Sequence, residues 1–396
     1  VLYCTEINKK RAPKYEDDPI QDKSMTLTHD PDIICRLKEI RTRKKITQTQ
    51  LADLVGIQRQ AVYDMEVGRY LPNTSVALRL ARILGCSVED IFSETLQNTH
   101  PVVLADHPDT ANPRVSIARI RNKLYAYPLS GVNSITEEMR AADGLLLPGK
   151  NEATLLKSDE QLENTALLLG CDPAFSILGQ YVMKNKTDAG LYCRFASSKT
   201  ALTQLAKGLA HIAGTHMHNA GDTDGNQEFA RQVLKNFKGL LVAFAIFEEG
   251  LMVARNNPFN IRNTGDLAQK KIRFANREKG AALRSLLDDC LCRENIPFSA
   301  VTGYDDIVAN HSQGAQKILY GIRDAALGLR SVAEAFNLDF VPITTVRCDL
   351  VIPQDLLTHA GVKIALDTLQ KSAFRNELSC LPGYDASCTG KIITRF

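Results

Sequence analysis

The pattern of apolar and polar positions divides the chain into four stretches. Residues 1–30 are polar and of mixed charge, as in Asn8-Lys9-Lys10-Arg11 and Glu16-Asp17-Asp18. They show neither helical nor strand periodicity, which predicts a disordered arm. Residues 31–97 carry short helical periods separated by turn signals and are predicted to form one helical domain. Residues 98–163 open with turn formers (His100-Pro101, His107-Pro108-Asp109, Asn112-Pro113) and continue into a run, 114–128, that reads as a hairpin turning at Arg121-Asn122-Lys123. That stretch is predicted to be a linker with a small β-hairpin. From 164 to 396 apolar β runs alternate with helical segments, the pattern of an α/β domain.

Within the helical stretch the spacing defines three helices. The first covers about 33–44, with Ile33, Leu37 and Ile40 on one face. A second opens at Thr47, where Thr47-Gln48-Thr49-Gln50 fits a capping box, and runs through Leu51, Ala52 and Val55 to Gly56. Gly56 accommodates the left-handed conformation that turns the chain. The third runs from Gln58 to about Glu66 and buries Val62 and Met65. A small residue, a glycine and a β-branched residue at these offsets are what a helix-turn-helix requires sterically. The exposed face of the third helix carries Arg59, Gln60, Tyr63 and Asp64, and Arg and Gln match guanine and adenine edges in the major groove. Arg36, Lys38, Arg41, Arg43, Lys44 and Lys45 cluster around the first helix and read equally well as backbone contacts or as a solvated face.

The run from Ile46 to Gly68 (ITQTQLADLVGIQRQAVYDMEVG), with Arg69, Pro72, Leu80-Ala81 and Val88-Glu89-Asp90-Ile91-Phe92, resembles the Cro and phage-repressor type of helix-turn-helix, the XRE family. The resemblance covers residues 33–93 and implies an all-α, five-helix, lambda-repressor-like domain. It further implies operator binding to double-stranded DNA by a homodimer. By the same similarity Gln48 and Arg69 touch phosphate while Arg59, Gln60 and Asp64 approach bases, with Gln58 and Tyr63 completing the face. A protein-interaction module, such as an antitoxin or scaffold, is the alternative use of the same bundle.

Two places in the α/β stretch share one construction: a β run, a polar turn, then a helix. In the first, Leu191–Phe195 leads through Ala196-Ser197-Ser198-Lys199 into a helix from Thr200. In the second, Lys271–Ala275 leads through Asn276-Arg277-Glu278-Lys279-Gly280 into a helix through Arg284. Helix starts offer unpaired amides and a positive dipole end, so two facing starts would grip a polar or anionic small molecule. Leu167–Ala174, Gly208–His216, Asn276-Arg277 with Arg284–Asp288, Gly303-Tyr304, His311, Ala325–Leu329 and Leu338–Pro342 resemble the periplasmic-binding-protein-like domains related to molybdate-binding proteins. The resemblance implies a two-lobed type II clamshell, with an oxyanion such as molybdate among the candidate effectors. Ser197, Ser198, Thr215, His216, Arg277, Lys279 and Arg284 are the predicted ligand contacts.

Composition narrows the function further. The net charge of +3 requires any nucleic-acid surface to be local. Ten scattered cysteines without a CxxC pair predict reduced thiols in a cytoplasm rather than a disulfide framework. His211, His216 and His218 lie close in sequence, and the last two would share one side of a strand. No acidic residue or cysteine nearby completes a zinc set, so no metal is predicted. Neither a nucleophile elbow nor a phosphate or dinucleotide loop is present, which argues against an enzyme and a cofactor. No apolar run reaches the roughly 18–20 residues of a membrane span. Together these observations predict a multidomain, ligand-responsive transcription regulator in which cleft closure changes the spacing of two helix-turn-helix heads. An enzyme built on the clamshell would need a nucleophile and a base converging on the cleft.

Overall fold

Two units divide the chain, Val1–Gln97 and Asn98–Phe396. The computed structural model describes residues 33–94, 99–106, 113–130, 140–184, 188–219, 221, 223–235, 238–269 and 272–395. The arm predicted for 1–30 lies outside the described residues.

The first unit runs β1 (Ile33–Cys35), α1 (Leu37–Arg43), α2 (Gln48–Val55), α3 (Arg59–Glu66), α4 (Thr74–Leu84), α5 (Val88–Ile91) and β2 (Phe92–Glu94). The first helix starts four residues later than the apolar spacing predicts. Ile33–Cys35 pair antiparallel with Phe92–Glu94 instead, because β-branched Ile33 and Ile34 suit extended pairing and the Arg36 amide bonds Ile91 O at 2.8 Å. The α2 start is the expected capping box: Thr47 Oγ1 accepts from the Gln50 amide at 3.2 Å and Gln50 Oε1 accepts from the Thr47 amide at 2.9 Å. Gly56 ends α2 at φ 75°, and Arg79 Nη1 donates to Val55 O at 2.8 Å, tying α4 to the same end. Leu37, Leu51, Val55, Val62, Met65, Leu80, Leu84 and Ile91 form one core.

The second unit departs from the expected linker at 98–163. A six-stranded sheet occupies it, ordered β3-β8-β7-β5-β6-β4, from β3 (Thr99–Pro101), β4 (Val103–Leu104), β5 (Arg114–Ile120), β6 (Lys123–Pro128), β7 (Gly144–Leu146) and β8 (Glu152–Leu155). The expected hairpin is β5–β6, and its turn residues Arg121 and Asn122 both take positive φ, as a twisted two-residue hairpin turn requires. The period-two apolar residues Val115, Ile117, Leu124, Ala126, Ala153 and Leu155 give this sheet its own core. Ala118, Ile120 and Tyr127 on its other face pack with Leu167, Leu169 and Leu202.

The larger sheet is ordered β10-β9-β11-β16-β12-β15-β13-β14. Its strands are β9 (Thr165–Gly170), β10 (Gly190–Phe195), β11 (Ile212–Thr215), β12 (Gly239–Val253), β13 (Phe274–Arg277), β14 (Ile307–Val308), β15 (Ala325–Leu329) and β16 (Asp339–Pro353), with β17 (Tyr384–Asp385) and β18 (Ile392–Arg395) on β12. One lobe is built on the parallel set β10, β9, β11, and the other on the parallel set β15, β13, β14. Only β12 and β16 belong to both: β16 pairs with β11 in the first lobe, and β12 pairs with β15 in the second. The helices that matter below are α6 (Phe175–Lys184), α7 (Ser198–Ala206), α8 (Gly225–Val233), α9 (Ala282–Arg293) and α10 (His311–Leu319). The strand expected at 271–275 lies about three residues further on, because pairing with Ile307-Val308 draws polar Asn276 and Arg277 into β13.

His211 joins the small sheet to the first lobe. Its Nδ1 accepts from the Leu167 amide at 3.0 Å, and its Nε2 lies 3.2 Å from Arg119 O, so the neutral ring with hydrogen on Nε2 satisfies both. Burial, reinforced by the neighbouring His359 ring, holds His211 down to about 3 from 6.5. Across that window the unfolded chain takes up a proton that the folded chain refuses. Stability therefore falls as pH drops below 6.5, by up to about 1.4 kcal/mol per unit from this group. His211→Gln should flatten that slope in urea titrations at successive pH values, and an unchanged slope would contradict the assignment. Gly303 sits at φ +93°, and an added Cβ would stand 2.1 Å from Phe274 O in the strand that carries Arg277. Gly303→Ala is expected to cost about 3 kcal/mol, read as a lowered urea midpoint.

Candidate functional site

In the first unit α3 presents its polar face. Gln58 precedes it as the N-cap, and Gln58, Arg59, Gln60, Tyr63 and Arg69 are exposed. Gln60 Nε2 donates to Asp64 Oδ1 at 3.1 Å, and Arg69 Nη1 stands 3.8 Å from the same oxygen with its guanidinium 5.8 Å from the Tyr63 ring centre. Gln60, Tyr63 and Asp64 of α3 therefore share one surface with Arg69. Gln48 is half-buried, and its amide donates to Glu66 Oε2 at 2.7 Å. Arg41 holds the same carboxylate from two nitrogens, at 2.5 and 3.2 Å, with side-chain exposures of 12% for Arg41 and 2% for Glu66. Arg41 thus leaves the basic cluster and becomes an internal brace between α1 and α3. Arg36, Lys38, Arg43, Lys44 and Lys45 stay exposed.

In the second unit the carboxyl ends of the parallel strands of both lobes meet. Arg277, at the end of β13, is 1% exposed and lies with its guanidinium 5.4 Å from the ring centre of Phe195, at the end of β10. Gly280 lies against the Lys199 side chain, a second contact between lobes. Arg277 is already paired, Nε and Nη2 reaching Glu278 at 3.0 and 3.1 Å, and Nη1 lies 3.3 Å from the ring of His311 at the start of α10. On the facing side Ser198 Oγ accepts from the His216 amide at 3.2 Å, and Ser197 Oγ donates to Thr200 Oγ1 at 3.0 Å.

The floor belongs to β12. Its register with β16 shifts between Glu249, opposite Thr344, and Gly250, opposite Pro342, so the extra residue there is Ile343 of β16. Glu249 is 0% exposed: Oε2 is 2.5 Å from His218 Nε2, and Oε1 lies 3.8 Å from His216 Nε2, too far for a hydrogen bond. Oε1 has no hydrogen-bond partner among the described residues, and the same holds for Oδ2 of buried Asp172. Burial pushes Asp172 up to about 6, opposed by hydrogen bonds from Tyr384 Oη and the Ala174 amide. Burial likewise holds His216 below its ordinary value and His311 well below it.

The structure brings Ser197, Ser198, His216 and Arg277 to the facing ends of the two lobes and gives Thr215, Lys279 and Arg284 other surroundings. Thr215 Oγ1 donates to Asn226 Oδ1 of α8 at 3.2 Å. Arg284 braces the second lobe, stacked 3.9 Å from the Tyr304 ring centre and donating to Arg277 O at 3.1 Å and Asp288 Oδ1 at 3.1 Å. It shares with exposed Lys279, Gly280 and Tyr304 a pocket of about 270 Å³. His216 and His218 follow the end of β11 rather than lying on a strand. The fold supplies near them what the local sequence lacks, Cys171 and Glu249. Cys171 Sγ lies 3.5 Å from His216 Nε2 and 3.9 Å from Nδ1, beside the ring rather than along one lone-pair axis. No group of three such side chains suited to a metal ion occurs among the described residues. Burial pushes the Cys171 thiol up to about 12, so the pair is neutral and lacks the thiolate that a nucleophile needs. The single sequence signal for Glu249 is a carboxylate pair, Glu248-Glu249, interrupting an otherwise apolar 15-residue strand.

Known proteins resemble both units. The helix-turn-helix family matches residues 37–91, and the PBP superfamily domain matches residues 179–370. An HTH-type transcriptional regulator of Archaeoglobus fulgidus is 39% identical over 57 residues, 14% of this chain and 80% of that protein. The protein YvgK of Bacillus subtilis is 28% identical over 227 residues, 57% of this chain and 73% of YvgK. A putative phosphate ABC transporter substrate-binding protein from Clostridium perfringens, solved with bound phosphate, superposes with a TM-score of 0.42 at 12% identity, over 55% of this chain and 97% of that one. A DNA-reading helical head and a binding-protein-like body define the class. The chain belongs to the HTH-type transcriptional regulators of the XRE kind and carries a PBP-like domain. No helix among the described residues is long and apolar enough to cross a membrane.

The brace at Glu66 yields a test. Glu66→Ala leaves the Arg41 guanidinium buried without its partner and should destabilise the helical unit by about 3 kcal/mol or more, seen as a lower melting temperature by circular dichroism. An unchanged melt would show that the pair holds nothing.

Proposed function

We propose that the protein is a one-component, effector-responsive transcription regulator, working as a homodimer in the cytoplasm. Its α3 face, with Arg59 and Gln60 exposed, enters the major groove of an operator, while Arg69 and the braced Gln48 meet phosphate. The single observation that carries the reading is the coexistence of that exposed face with a buried polar cleft between two lobes joined by β12 and β16. The effector binds between the lobes, against Ser198, His216 and the Glu249 segment of β12. Its unequal affinity for open and closed lobes supplies the bias on operator affinity, about 1.4 kcal/mol for each tenfold. The neutral, buried Cys171–His216 pair supports binding rather than catalysis. Among effectors the binding-protein-like body accommodates polar or anionic molecules.

The test selects an operator from a random duplex pool with the full chain and then titrates it. Arg59→Ala and Gln60→Ala are each expected to weaken specific binding about 10- to 100-fold and to leave non-specific binding nearly unchanged. Wild-type affinity should also fall steeply with salt. A full-length protein that binds no duplex even at low salt would overturn the reading and favour a protein-interaction module.

A further inference from the structure

Around Cys171 carboxylates outnumber guanidinium groups. Asp172, Glu249 and Glu278 all stand in the electrostatic neighbourhood of Cys171, against Arg277 as the opposing cation there. Arg277 is itself committed twice over to Glu278. An oxyanion placed between the lobes would thus meet a neutralised guanidinium and a buried carboxylate. Glu249 is fully buried; His218 Nε2 lies 2.5 Å from its Oε2, while no donor among the described residues reaches its Oε1. An unsatisfied buried carboxylate oxygen is costly, and a protonated donor relieves that cost most strongly.

The facing wall has the opposite need. Ser197 makes no side-chain cap on the nine-residue helix α7, since its hydroxyl turns to Thr200, and Ser198 Oγ is taken by the His216 amide. The first-turn amides of α7 therefore lack a side-chain acceptor, and the positive end of the helix favours an anionic group. The two features are one residue apart: the His216 amide touches Ser198, and its ring borders Glu249.

We propose that the effector is a small zwitterion, its protonated amine on the Glu249 carboxylate and its anionic end on the free amides of α7. The proposal rests on the effector-responsive reading above and narrows it from polar molecules in general to amino-acid-like ones. Molybdate and its chemical relatives have no donor cation to offer Glu249.

Calorimetric titration of the full-length protein with the common L-amino acids tests this. Each amino acid that binds is matched with its α-hydroxy-acid counterpart, and molybdate, sulfate and phosphate are run alongside. At least one amino acid should bind about tenfold or more tightly than its hydroxy-acid partner, and Glu249→Gln should abolish that preference. The wild-type comparison stands by itself should the variant not fold. An amino acid that binds no better than its hydroxy acid overturns the assignment. Binding of an oxyanion with no amino acid bound overturns it too, while leaving an effector-responsive regulator intact. If no compound of any class binds, both readings fall together.

Discussion

The antiparallel pairing of β12 with β16, from Gly239 opposite Pro353 to Val253 opposite Asp339, is the constraint on which the second unit depends. These are the strands through which the two lobes are continuous, so any change in the angle between lobes must be absorbed in them. Their register is not uniform. It shifts at Ala243/Ala245 and again at Glu249/Gly250, and bulges of this kind bend a strand and increase its twist. The second shift, with its extra residue Ile343 in β16, falls directly beside the unsatisfied carboxylate of Glu249.

The helical unit is organised around a different buried charge. Glu66 receives Arg41 from α1 and Gln48 from the start of α2, and so fixes α3 against both. Because each partner is charged or polar and largely out of water, the arrangement is expensive to break and holds the α3 face in one orientation. A fixed α3 face there contrasts with the irregular β12–β16 pairing of the second unit.

Local signals made the reader legible. The Thr47 capping box, Gly56 and small Ala52 each act within one turn of chain, and the structure has them as the sequence implied. The start of α1 was not legible, because the partner that converts Ile33–Cys35 into a strand is Phe92–Glu94, almost sixty residues away. The six-stranded sheet was hidden for a related reason: β3 and β4 are very short and lie among turn formers, and their pairing with β8 and β6 is non-local. In the cleft, Ser198 and Arg277 follow from strand-turn-helix spacing, and His216 from the family resemblance. Cys171 follows the end of β9 and Glu249 lies on β12, so only the fold brings them beside the histidines. Charge drew attention to Arg284, whose guanidinium the second lobe uses internally.

Reciprocal coupling between effector and operator is the most direct measure of the account. If effector and operator bias one two-state equilibrium, each must change the affinity for the other by the same factor. Titrating a bound effector into the full-length protein, with and without saturating operator duplex, measures one factor, and titrating the duplex with and without effector measures the other. The account predicts two equal factors different from one. Effector affinity that is indifferent to the operator, alongside tight binding of both, would contradict it.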